Sequence, residues 1–175
     1  DALGPLAFIA RVRVEGLRDL GSAPSPLNSF QVIQGLETLE VRMKKHSENA
    51  IELAKWLEKR DEVSWVNYPG LASSKYSDLA SKYLPKGKSG IITFGLKKGY
   101  DGAKKVAENT QIFALLANIG DTKSLIIHPS STTHSQLNEE EQKSTGVTPD
   151  LVRISVGIED LNDLKDDLDQ ALEKI

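Results

Sequence analysis

The stretch that decides the fold is Gly146–Asp160, GVTPDLVRISVGIED. Leu151, Ile154, Val156 and Ile158 make it a strand-like apolar run, and Arg153 stands in the middle of that run. An arginine beside a core is costly unless something anionic or polar meets it. Two readings follow. The guanidinium lies on the solvent face or pairs with one of the chain's own carboxylates, or its planar fork receives a ligand carboxylate or phosphate.

Outward from this strand the texture is an alternation of strands and helices. Towards the C-terminus, Leu161 to Glu173 reads as an amphipathic helix. Towards the N-terminus, 138–144 reads as a short helix, 124–128 as a strand and 102 to about 116 as a helix. Before these, 89–96 (SGIITFGL) reads as a strand, 76–84 as a short helix and 63–66 as a strand. Such an alternation around a short sheet is an α/β or α+β layer.

The first sixty residues differ. Leu6, Ile9, Val12 and Leu17 recur at helical spacing from Pro5 to Leu20, and Gly21 supplies a stop. After the breaker cluster 21–26, Ser25 can cap and Pro26 can open a helix running to about Arg60. Nearly thirty-five residues in one helix would span about 50 Å. That is longer than a compact domain of this size needs, so residues 1–60 are expected to form a helical arm and 61–175 the α/β body. In that helix His46 sits among charges and reads as solvated.

Composition narrows the function. The 175 residues carry 22 Lys and Arg against 25 Asp and Glu, so no global basic surface recruits nucleic acid. No apolar run is long enough to span a membrane, and no positively charged start followed by an apolar signal segment is read in these residues. The absence of cysteine removes disulfides, thiol nucleophiles and thiolate metal sites together, and fits a reducing cytoplasm. His128 and His134 lack the partners of a metal site, and no Gly-rich phosphate loop or GxSxG elbow is present. The hydroxyl-rich segment 120–134, GDTKSLIIHPSSTTH, has two readings: a polar loop bonding its own backbone, or part of a binding site. The chain opens on Asp1 rather than methionine, which keeps a piece of a longer protein in view.

Four segments in order carry a family resemblance: EGLRDLGSAPSPLNSFQVIQGLETLEVRMKKHSENAIELAKWLE (15–58), VSWVNYPGLAS (63–73), LANIGDTKSLIIHPSSTTHSQL (116–137) and GVTPDLVRISVGIED. Together they resemble the C-terminal portion of the Cys/Met-metabolism family of pyridoxal-phosphate enzymes, over essentially the whole chain. The branch they are most similar to replaces the acetoxy group of O-acetylhomoserine by sulfide. Cystathionine γ-synthase, methionine γ-lyase and a non-enzymatic assembly module are the alternatives.

The resemblance implies the small C-terminal domain of a fold-type I enzyme: a short, mostly antiparallel sheet with helices on one face, preceded by a long helix linking it to a large domain. It implies a homo-oligomer acting on O-acetylhomoserine and sulfide in the cytoplasm, with pyridoxal 5'-phosphate as cofactor. It assigns Arg153 to the substrate α-carboxylate, puts Ser124 beside that carboxylate and Thr133 near the site, and leaves no catalytic residue in this chain. Lys123, in GDTKSLIIHP, imitates the family's cofactor-binding lysine element. However, Gly120 replaces its serine and no Gly-His follows, so the anchoring lysine is expected upstream of Asp1.

Overall fold

The computed structural model describes residues 4–175; the start of the expected arm, Asp1–Leu3, lies outside the described residues. The chain forms two compact units that divide between Leu39 and Glu40.

In the first unit, α1 (Ala7–Arg11) continues without a break into a π-helical stretch, Val12–Asp19. The wider winding shows in Leu20 N–H donating to Glu15 O at 2.9 Å. Gly21, at φ +70°, ends it. Ser25 then caps α2 (Pro26–Glu37), its Oγ accepting from Asn28 N at 3.1 Å with Pro26 at the first turn, as their order in the sequence implies. No residue of α1, the π-helical stretch or α2 is buried.

The single helix expected from Pro26 to about Arg60 is two. Thr38, at φ −106° and ψ 3°, leaves helical geometry, and α3 (Leu39–Leu57) follows. The C-terminal half of α3 is part of the α/β core: Ala50, Leu53, Ala54 and Leu57 are fully buried.

The second unit is built on a five-stranded sheet in the order β1-β2-β5-β4-β3. The strands are β1 (Val63–Asn67), β2 (Ile91–Leu96), β3 (Ala114–Leu115), β4 (Leu125–Ile127) and β5 (Leu151–Ser155). Every pairing is antiparallel except β3 with β4. Strand alternation explains the core. Ile92, Phe94 and Leu96 of β2, with Val152 and Ile154 of β5 and Val156 just beyond it, are at most 1% exposed and pack in one cluster with α3, α5 (Gly99–Asn109) and α7 (Leu161–Leu172). From α7 come Leu164, Leu168, Ala171 and Leu172. Each such aliphatic side chain contributes about 1.5–3 kcal/mol by leaving water.

Two local expectations fail for the same reason. Residues 110–116 were expected to extend α5, but the helix stops at Asn109, Thr110 turns extended and Ala114–Leu115 pairs with β4. Asp167 of α7 captures three successive amides of this segment, Gln111 N at 2.7 Å, Ile112 N at 2.8 Å and Phe113 N at 3.0 Å. A carboxylate holding three backbone donors outweighs a few tenths of a kcal/mol of helix propensity per residue. His46, expected in solvent, is 1% exposed, and its Nδ1 donates to Val156 O at 2.6 Å.

Candidate functional site

β5 lies between β2 and β4, so both edges of the strand carrying Arg153 are bonded; Arg153 is in register with Thr93 on one side and Ile127 on the other. Because Val152 and Ile154 point into the core, alternation sends Arg153 and Ser155 to the opposite face. There Arg153 Nη2 donates to Ala117 O at 2.6 Å. That is its only hydrogen bond among the described residues, and none of their carboxylates forms an ion pair with it.

Arg60 shows the contrast. It is paired with Glu62 and Asp169 and lies 5.0 Å over the Trp56 ring, a structural arginine with its charge compensated inside the protein. Arg153 is half-buried and held at one nitrogen by a neutral carbonyl, so its charge and most of its five donors remain for an anion. Among the described residues, pairing with one of the chain's own carboxylates is therefore removed, which leaves the solvent face and a ligand anion as the readings of Arg153.

The carbonyl that steadies Arg153 belongs to a loop between β3 and β4. Gly120, at φ +76°, makes its turn, and its N–H donates to Ser155 Oγ at 3.2 Å. The base of the loop is closed by Ala114 N donating to Ser124 O at 3.0 Å. Leu115, Leu116 and Ile119 of this segment are exposed at 54%, 47% and 66%, an apolar rim beside a cation.

The other residues singled out from sequence are placed differently. Ser124 is fully buried. Its Oγ accepts from Gly157 N at 2.7 Å and donates to Glu159 Oε2 at 2.9 Å, so its hydroxyl is already used. Thr133 is exposed, its hydroxyl bonded to His134 Nδ1 at 2.8 Å. No hydrogen bond joins Arg153, Ser124 and Thr133 to one another. Lys123 is an exposed residue of the turn before β4, and its N–H bonds Asp121 Oδ1 at 3.1 Å. His128, after β4, is buried with both nitrogens engaged, Nε2 donating to Pro149 O and Nδ1 meeting Ser131 Oγ, each at 2.8 Å. Burial holds its pKa below the usual imidazole value.

Sequence reasoning passed over Ala117, Ser155 and Glu159. Ala117 acts through its backbone and leaves no side-chain signal. The alternation of β5 does predict that Ser155 shares the face of Arg153.

A five-stranded, mostly antiparallel sheet with helices on its core face and, on the other, an arginine without a carboxylate partner among the described residues define an α/β body of the α+β kind. The model of the Cys/Met metabolism PLP-dependent enzyme family matches residues 7–173, and the chain belongs to that family. It is 51% identical over 173 residues to O-acetyl-L-homoserine sulfhydrylase 1 of Thermus thermophilus, covering 98% of this chain and 41% of that protein. To the O-acetyl-L-homoserine sulfhydrylase of Leptospira meyeri it is 52% identical over 171 residues, covering 97% and 39%. A crystal structure of an O-acetylhomoserine (thiol)-lyase from Campylobacter jejuni, containing N'-pyridoxyl-lysine-5'-monophosphate, superposes with a TM-score of 0.86 at 47% identity, covering 98% of this chain and 41% of that one. The chain thus spans about two fifths of the length of the relatives it matches.

A seat for pyridoxal phosphate needs a lysine whose amine is desolvated or otherwise activated, a partner for the pyridine nitrogen and donors for the phosphate. Among the described residues no lysine is buried, and Lys88, whose ammonium donates to Ala80 O at 2.7 Å and Leu84 O at 2.8 Å at the end of α4 (Ser77–Tyr83), is engaged by backbone carbonyls. The residues present therefore do not compose a seat for the cofactor.

Proposed function

We propose that this chain is the substrate-carboxylate-binding part of a longer enzyme that replaces the acetate of O-acetylhomoserine by sulfide to give homocysteine. The observation that carries the reading is Arg153, half-buried, steadied by Ala117 O and without a carboxylate partner among the described residues. In this reading the helical arm, residues 1–60, links the α/β body, residues 61–175 with the C-terminal half of α3 packed into its core, to a larger cofactor-bearing domain. The lysine that anchors pyridoxal phosphate belongs to that domain, and the cofactor when bound supplies the electron sink of the chemistry.

This chain's part is binding and orientation. The fork of Arg153 takes both oxygens of the α-carboxylate, and the bond to Ala117 O fixes the plane of the guanidinium before the substrate arrives, which limits the entropy lost on binding. Leu116 and Ile119 form the apolar rim that keeps water from the charge pair. Ser124 contributes by closing the loop rather than through its engaged hydroxyl, and Thr133 contributes from the exposed segment after β4. The enzyme is a homo-oligomer of the cytoplasm; among the described residues no helix is long and apolar enough to cross a membrane.

The test is steady-state kinetics of the intact enzyme. Arg153→Ala is expected to raise KM for O-acetylhomoserine and lower kcat, because a desolvated charge-assisted pair is worth on the order of 2 to 4 kcal/mol, about thirty- to a thousandfold in kcat/KM. Arg153→Lys rescues poorly, since an ammonium cannot reproduce the fork. Unchanged kinetics in both variants would remove Arg153 from the site.

A further inference from the structure

We infer that Glu159 is a positioning residue of the carboxylate clamp, its side chain locking the loop that steadies Arg153 onto the end of β5; the inference rests on the reading of Arg153 given above. Glu159 Oε1 accepts from Ser124 N at 2.6 Å and Oε2 accepts from Ser124 Oγ at 2.9 Å, so both oxygens are spent on one residue of the loop. Ser124 Oγ in turn accepts from Gly157 N at 2.7 Å, closing a part-buried ring of three bonds between the loop and the turn after β5.

The approach is as close as the backbone permits. A Cβ on Gly157 would overlap Glu159 Oε2 and Thr122 O, and would stand 2.6 Å from Ser124 N. Two of these three neighbours are backbone and cannot swing aside, so glycine is required by space and not by dihedral angle. Ile158 N donates to Thr122 O at 3.0 Å, adding a direct backbone bond.

Glu159 is itself fixed from behind. Asn49 of α3 donates through Nδ2 to Gly157 O at 3.1 Å and to Glu159 O at 2.9 Å, and His46 one turn earlier holds Val156 O. The path is continuous: α3 holds the backbone of 156–159, Glu159 holds Ser124, and the loop ending at Ser124 carries Ala117, whose carbonyl holds Arg153 Nη2.

The division of labour between charges supports a positioning role. Glu159 is the carboxylate in the arginine's own motif, six residues on in sequence, and it forms no ion pair with Arg153 among the described residues. Spent on Ser124, it aims the guanidinium through the loop without neutralising it. A carboxylate bonded to Arg153 directly would compete with the substrate for the same donors.

The experiment compares kcat/KM of the intact enzyme for O-acetylhomoserine and for its α-carboxamide, in the parent, Arg153→Lys, Glu159→Ala and Glu159→Gln. The ratio of the two reads recognition of the carboxylate alone. Arg153→Lys is expected to collapse it; a ratio unchanged there refutes the clamp itself, and this inference with it. Given that collapse, Glu159→Ala is expected to lower the ratio about tenfold, through KM for the carboxylate substrate and not through kcat, as loss of one charge-assisted anchor implies. Glu159→Gln keeps an acceptor for Ser124 N and is expected to retain most of the ratio, losing about threefold. Both substrates weakened equally by Glu159→Ala, or a ratio unmoved, overturns the proposal. Should Glu159→Ala not fold, Glu159→Gln decides, and an unaltered ratio there overturns it.

Discussion

Replacing Asp167 by alanine should cost the α/β unit about 3 kcal/mol. The carboxylate is 5% exposed and receives Gln111 N at 2.7 Å, Ile112 N at 2.8 Å and Phe113 N at 3.0 Å, with Gln170 Nε2 at 3.1 Å from Oδ1. Phe113 is 2% exposed, so its amide has no water to turn to once the carboxylate is gone, and a buried orphan donor costs about 1.5–3 kcal/mol. Gln111 and Ile112 are exposed, water replaces most of what they lose, and each adds about 0.5 kcal/mol. Asp167→Asn is the sharper variant. It keeps the shape but turns an N–H towards at least one of the three amides, and about 2 kcal/mol is expected from that mismatch. Urea unfolding measures both, and with a slope of about 1–3 kcal/mol/M the midpoint should fall by about 1–3 M for alanine. Amide hydrogen exchange at Phe113 should accelerate in parallel, since the opening is local. A midpoint moved by less than about 0.3 M in both variants would show that the three bonds do not hold the segment, and the explanation of why 110–116 abandons the helix would fall.

Other outcomes follow from single contacts. Gly95→Ala places a Cβ against Trp65 Nε1 and Asp150 Oδ2, whose hydrogen bond of 2.8 Å crosses the glycine; a loss of about 1–3 kcal/mol is expected in urea unfolding, with a shifted tryptophan emission. Burial, the dominant cause, depresses the pKa of His128 below its ordinary 6.5. The unfolded chain therefore binds the proton first, so this contribution to stability is complete above about pH 6.5 and is lost as pH falls through the lowered folded value. Urea midpoints measured from about pH 7.5 down to about pH 5 should show that decline in the parent and a shallower one in His128→Gln; equal slopes would dismiss the histidine as its source.

The sequence by itself determined those features whose cause is local. The apolar run of Leu151, Ile154, Val156 and Ile158 marked a strand with Arg153 in its middle; Ser25 followed by Pro26 marked a helix start; the helical period over Leu161 to Glu173 marked α7 as amphipathic. The family motifs added a role for Arg153 that no periodicity contains. Tertiary structure alone decided that 111–115 runs as a held loop and strand, because the carboxylate that holds it stands 56 residues further on at Asp167. It decided that His46 is buried, because its acceptor, Val156 O, is 110 residues away. It also gave Glu159 to Ser124 instead of to Arg153. Hydrophobic period is written into neighbouring residues, whereas a buried polar group takes whichever partner the closed fold brings within about 3 Å, and that pairing exists only once the chain has closed.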